Sequence, residues 1–211
     1  SISSISGTSK EKPDATQEKS GVVNVKIRIQ DLTRGATYWN GEAWQAGETW
    51  LVIDTTGTWS YNIPNSSFTH AHQYQIKAKA SDEAGNEEPE AGWASHTFTY
   101  DTAEPACAVA VPQEGRYYNE LATVKGTASD TLADIDYVEI QIHDTTADRY
   151  WNETDWGAVG VEYWLGVTYY PATDTWEYTS GPPRAKLTSG NAYTAQCRAF
   201  DNGANQKLST V

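Results

Sequence analysis

The feature that most constrains this chain is that it says the same thing twice. Tyr38-Trp39-Asn40 followed by Trp44 returns as Tyr150-Trp151-Asn152 followed by Trp156, with matching spacing. Upstream, Val25-Lys26-Ile27-Arg28-Ile29-Gln30-Asp31 returns as Val138-Glu139-Ile140-Gln141-Ile142-His143-Asp144. Downstream, Gly57-Thr58-Trp59-Ser60-Tyr61 returns as Asp174-Thr175-Trp176-Glu177-Tyr178, and Tyr74 through Asn86 returns as Tyr193 through Asn205. Four blocks in one order mean two copies of one structural unit. The offset is 150 − 38 = 112 at the Tyr-Trp-Asn block and 193 − 74 = 119 at the last block, so the second copy carries insertions, which belong in loops.

Within each copy, short segments alternate apolar and polar residues between clusters of Gly, Pro, Asn and Asp. That is the signature of half-buried strands, and no helical period runs long enough to cover a sheet. The fold class expected is all-β, two tandem sandwiches at 1-101 and 102-211. Strands are predicted in copy one near Ile2 to Thr8, Val22 to Asp31, Thr49 to Asp54, Thr58 to Ile63, Gln73 to Ser81 and Trp93 to Tyr100. In copy two an additional opening strand, Ala106 to Val111, precedes Leu121 to Thr127. Because Ile5-Ser6-Gly7-Thr8 aligns with Val124-Lys125-Gly126-Thr127, the first copy is expected to lack its opening strand. The second is expected to stop within its last strand, near Lys207 to Val211. The short junction Asp101-Thr102-Ala103-Glu104-Pro105 serves as linker.

These motifs taken together, a Gly-Thr strand, Val-x-Ile-x-Ile, Tyr-Trp-Asn, Thr-Trp-x-Tyr and the closing Asp82-Glu83-Ala84-Gly85-Asn86, echoed by Asp201-Asn202-Gly203-Ala204-Asn205, resemble the bacterial immunoglobulin-like (Big-type) tandem repeats of large surface, adhesin or surface-layer proteins. The resemblance implies an immunoglobulin-like β-sandwich in each copy, an extracellular or cell-surface location and a structural or adhesive role. It brings no catalytic residues. The implied partners are other copies of the parent protein, or neighbouring surface proteins and glycans. A carbohydrate-binding or adhesive module of an exported protein, and a passive spacer, are the alternatives.

Charge narrows the partners. Against 15 Lys plus Arg stand 28 Asp plus Glu, a formal charge of −13, which repels nucleic-acid backbones and anionic lipid surfaces. No apolar run is long enough to span a bilayer, so no membrane contact is expected in this segment. The closing Asp-Glu-Ala-Gly-Asn block is first a hairpin, since Asp and Asn bond nearby amides and Gly accepts positive φ. Asp82, Glu83, Asp101, Asp130 and Asp201 nevertheless all fall at predicted strand ends, where oxygen ligands could hold calcium. No other cofactor is expected.

Nine tryptophans and 13 tyrosines raise the question of a sugar-stacking surface. Trp39, Trp44 and Trp59 recur as Trp151, Trp156 and Trp176, which marks them as core. The aromatics best placed to face a ligand are Tyr163, Trp164, Tyr169 and Tyr170, crowded into the longer second copy. Cys107 and Cys197 each share a strand face with apolar neighbours and point to one core, where a disulfide and two buried thiols are both open. His70 and His72 alternate along a predicted strand and so face one side. No nucleophile elbow, phosphate loop or zinc-ligand spacing occurs, and no catalytic residue is assigned.

Overall fold

The computed structural model describes residues 4–10, 21–53, 57–203 and 206–208. It divides into two compact units, Ser1–Asp101 and Thr102–Val211. Among the described residues there are strands and three short 3-10 turns but no α-helix.

The first unit packs two sheets over one core. Strands β1 (Ser4–Thr8) and β6 (Thr58–Asn62) make the small sheet. The larger has the order β4 (Trp44–Ala46), β3 (Thr37–Trp39), β2 (Val22–Asp31), β7 (Gln73–Asp82), β8 (Ala94–Thr99), with β5 (Leu51–Ile53) also on β2. All these pairs are antiparallel. The alternation in β2 turns Val25, Ile27 and Ile29 inward, where they meet Ile5, Trp59, Ile63, Phe68 and Tyr74.

The second unit repeats this plan. β9 (Ala106–Val111), β10 (Val124–Ser129), β15 (Thr175–Tyr178) and β14 (Thr168–Tyr170) form one sheet. Opposite it lie β12 (Arg149–Tyr150), β11 (Ile135–Asp144), β16 (Tyr193–Asp201) and β17 (Gln206–Leu208), with β13 (Leu165–Gly166) on β11. The core gathers Val138, Ile140, Ile142, Trp151, Trp176, Tyr178 and Cys197.

Several residues shared by the copies have a task in the fold. Trp59 pairs with Gly7, and a Cβ on that glycine would stand 2.5 Å from the indole; Trp176 pairs with Gly126, where the corresponding approach is 2.3 Å. The Gly-Thr strand is therefore the floor under a tryptophan. Asn40 Oδ1 accepts the amides of Glu42 and Ala43, and Asn152 Oδ1 those of Thr154 and Asp155. The asparagine of Tyr-Trp-Asn thus closes a tight turn by taking up amides that would otherwise lack partners. Asp31 and Asp144, both buried, do the same for Thr33 and Arg34 and for Thr146 and Ala147. The Tyr74 hydroxyl accepts the amide of Thr69, and the Tyr193 hydroxyl that of Thr188, a corner that pins the chain as it enters the central strand.

Several expectations need correction. The β3–β4 hairpin adds to the expected strands; each of its arms is three residues long, too short for an alternation to register in the sequence. The strand expected from Leu121 begins at Val124, and the one expected from Trp93 begins at Ala94, after a 3-10 turn at Glu90–Gly92. His70 and His72 are not on a strand; Ala71 between them has φ 64°, which sends them to different partners. Ile2, Asp54, Ala204, Asn205 and Ser209 to Val211 lie outside the described residues.

Candidate functional site

The acidic residues separate into two groups. Asp82 serves its own hairpin: Oδ1 accepts the Asn86 amide and Oδ2 the Asn86 side-chain Nδ2, both at 2.8 Å, while Gly85 turns with φ 85°. Glu83 is exposed on that turn. In the other group, Asp130 follows the last residue of β10 and Asp201, which is buried, ends β16. These two bring carboxylate oxygens within 4.8 Å of each other. Asp130 Oδ1 accepts the amides of Leu132 at 2.7 Å and Ala133 at 2.9 Å, which fixes the carboxylate and leaves Oδ2 buried without a hydrogen-bond partner. Asp101 Oδ1 stands 3.2 Å from His70 Nδ1. His72 Nδ1 instead lies 2.8 Å from Asp31 Oδ2. Converging carboxylates repel one another, and a cation or a protonated partner is the physical remedy.

The four aromatics singled out in the second unit do not form one surface. Tyr163 and Tyr169 are partly buried against the core, and the Tyr169 hydroxyl donates to the Ala128 carbonyl at 3.2 Å. Burial, together with the Asp174 carboxylate beside it, raises the Tyr169 pKa. Tyr170 is 45% exposed. Trp164 is covered on one face by Arg198, whose Cζ stands 4.2 Å from the ring centroid, and Arg198 in turn bonds Glu139.

Trp164 has a counterpart that the repeat pattern does not disclose. Leu51 pairs with Ile27 and Leu165 with Ile140, so Trp50 and Trp164 occupy the same position just before the same strand. Lys79 lies over Trp50 at 4.6 Å as Arg198 lies over Trp164. Two different cations thus cap two equivalent indoles. The offset of 164 − 50 = 114 differs from those of the flanking blocks, which hides the match. In the first unit the arrangement extends to Trp93, 5.0 Å from Trp50, and to Glu87, whose carboxylate Lys26 and Lys79 hold down to about 2.

Within the second unit, Cys107 of β9 is bonded to Cys197 of β16, joining its two sheets. Among the described residues no helix is long and apolar enough to cross a membrane.

Neither a protein-family model nor a curated protein matches the sequence. The structural neighbours are tandem repeats of large adhesins and fibronectin-III-like modules. A tetra-tandem repeat from the extending region of a large adhesion protein is 19% identical, with 98% of this chain and 43% of that one covered and a TM-score of 0.36. Fibronectin(III)-like modules of Clostridium thermocellum CbhA are 16% identical, covering 98% and 82%, with a TM-score of 0.42. The FN1-FN3 domains of chicken CNTN1 are 11% identical, covering 100% and 60%, with a TM-score of 0.48. The chain spans less than half the length of the first of these. Likeness at this level concerns the sandwich fold alone.

Proposed function

We propose that this chain is a non-catalytic structural segment of a large cell-surface protein, an adhesin or surface-layer component, in which tandem sandwiches contact other copies of the parent or neighbouring surface proteins and glycans. The observation that supports this reading most is what the shared residues do. Trp39, Trp59, Trp151 and Trp176 are buried, and the shared pairs Asp31 and Asp144, Asn40 and Asn152, and Gly7 and Gly126 close turns or seat an indole. A duplication retained for a common chemistry would repeat a set of polar groups converging on a cleft. This one repeats the means of folding. The direct test is lateral association of the parent protein, followed by sedimentation and by imaging on a solid support. Ordered arrays or concentration-dependent association are expected; a parent that stays monomeric and binds no cell surface would overturn the reading.

A second reading concerns calcium, favoured by the approach of Asp130 to Asp201 within the second unit. Calcium takes oxygen ligands at roughly 2.3–2.6 Å, so carboxylate oxygens within 4.8 Å of one another can share one ion. A ligand bound only by the folded form raises the melting midpoint. The midpoint should therefore rise on adding calcium to chelator-treated protein, and Asp130→Asn should abolish the rise. An unchanged midpoint in the unsubstituted protein rejects calcium.

A further inference from the structure

The sequence carries two Asn-x-Ser/Thr triplets, Asn65-Ser66-Ser67 and Asn152-Glu153-Thr154, the pattern that accepts a glycan on the asparagine side chain. The fold treats them differently. Asn65 opens a 3-10 turn, and its buried Oδ1 has no hydrogen-bond partner among the described residues, so the Ser67 hydroxyl does not engage it. Asn152 instead leads the turn between Trp151 and Trp156, which pair as a bridge. Its Oδ1 accepts the Thr154 hydroxyl at 3.1 Å, the Thr154 amide at 3.2 Å and the Asp155 amide at 2.9 Å. Three donors on one oxygen fix the plane of the carboxamide, and among the described residues its Nδ2 donates to none. Asn152 is partly exposed, and Glu153, Thr154 and Asp155 are exposed beside it. The first unit builds the same turn without these features. Asn40 Oδ1 accepts the amides of Glu42 and Ala43, but its Nδ2 donates to Gln45 Oε1 at 3.1 Å, and Glu42 stands where Thr154 supplies its hydroxyl. Closing the turn therefore requires neither a hydroxyl at the third position nor a free side-chain amide. The second unit has both.

We propose that Asn152 is the acceptor of an N-linked glycan and that Asn65 is not. The donor is a sugar carried on a polyprenyl pyrophosphate, and the step is catalysed by a transferase that recognises the triplet. Nδ2 attacks C1 of the sugar, the C1–N bond forms as the bond from C1 to the phosphate oxygen breaks, the pyrophosphate leaves with the bonding pair, and Nδ2 gives one proton to a base of the transferase. The product keeps one N–H and the whole carbonyl oxygen, so the bonds that Oδ1 accepts from Thr154 and Asp155 survive the modification. Fold and glycan thus use different atoms of one side chain. The glycan rests on the surface location proposed above, because a secreted chain is what meets such a transferase; the acceptor geometry does not.

The test incubates the intact, oxidised chain with a purified oligosaccharyltransferase and a polyprenyl-pyrophosphate oligosaccharide, then maps the products by peptide mass spectrometry. A glycopeptide containing Asn152 is expected, with Asn65 bare. Thr154→Val keeps the backbone amide that Oδ1 accepts and removes the hydroxyl, so the glycopeptide should be lost while the melting midpoint stays in place. Glu42→Thr with Gln45→Ala, which adds the hydroxyl and frees Nδ2, should make Asn40 a second acceptor. A bare Asn152, a glycan that persists at Asn152 in Thr154→Val, or modification of Asn65 equal to that of Asn152 would each overturn the proposal. The parent protein recovered from its own cells separates this proposal from the surface role. Recovery from the cell surface with Asn152 bare rejects the glycan alone; recovery from the cell interior alone rejects the surface role, and with it the glycan in the cell.

Discussion

The first and second units share a skeleton and differ in how it is secured. Both seat a tryptophan on a glycine, cap an aspartate turn after the long strand and pin the central strand with a tyrosine hydroxyl. The second ties β9 to β16 with a disulfide. The first has an outer layer of Trp50, Trp93, Lys77 and Lys79. What both contain is what the sandwich needs.

The largest difference to probe is the disulfide, which closes a loop spanning 90 residues. Cys107→Ala with Cys197→Ala should destabilise the second unit by about 4 kcal/mol, from the chain entropy restored to its unfolded state. Calorimetry should show one transition falling and the other, from the first unit, unmoved; two transitions that fall together would dissolve the contrast. Next come the paired glycines. A Cβ at Gly126 would meet both the Ala108 carbonyl oxygen at 2.0 Å and Trp176, whereas at Gly7 its three nearest atoms all belong to the Trp59 side chain. Gly126→Ala should therefore cost about 3 kcal/mol and Gly7→Ala about 1 kcal/mol, because a strand backbone yields less readily than a ring. Equal losses would show that β9 does not confine Gly126.

Smaller effects sharpen the comparison further. Arg198→Ala and Lys79→Ala should each cost about 1 kcal/mol, and a tryptophan fluorescence change should accompany each if the cations cover equivalent rings. High pH gives a separate handle on the second unit. Burial, with the Glu153 charge adding to it, pushes the Tyr178 hydroxyl up to about 12 from 10. The folded state thus prefers the neutral phenol, so the contribution is whole below pH 10 and is lost as pH rises from 10 through 12. Tyr178→Phe should flatten that part of the stability profile. The smallest effect expected is from His72→Asn, which copies Asn191, the residue that bonds Asp144 in the second unit, and should change stability by about 0.5 kcal/mol or less at neutral pH.

The order of elements is legible because duplication doubles the evidence for each strand. Val25 to Asp31 and Val138 to Asp144 announce the same inward face, and Ala106 to Val111 is a strand from end to end. The pairing of His70 with His72 on one face fails because a left-handed residue at Ala71 ends the alternation, and nothing in an alanine signals positive φ. The equivalence of Trp50 with Trp164 is hidden by loops whose lengths differ between the copies.

The sequence by itself determined that two all-β units stand in tandem and which aromatics recur, since strand alternation and repetition are local and countable. Only the tertiary structure decided that Asp130 and Asp201 approach each other while Asp82 serves its own turn, that Cys107 reaches Cys197, and that Trp164 is roofed by Arg198. Those facts depend on which strands become neighbours across sheets and on how insertions shift the register. Pairings between residues tens of positions apart leave no periodic trace along the chain.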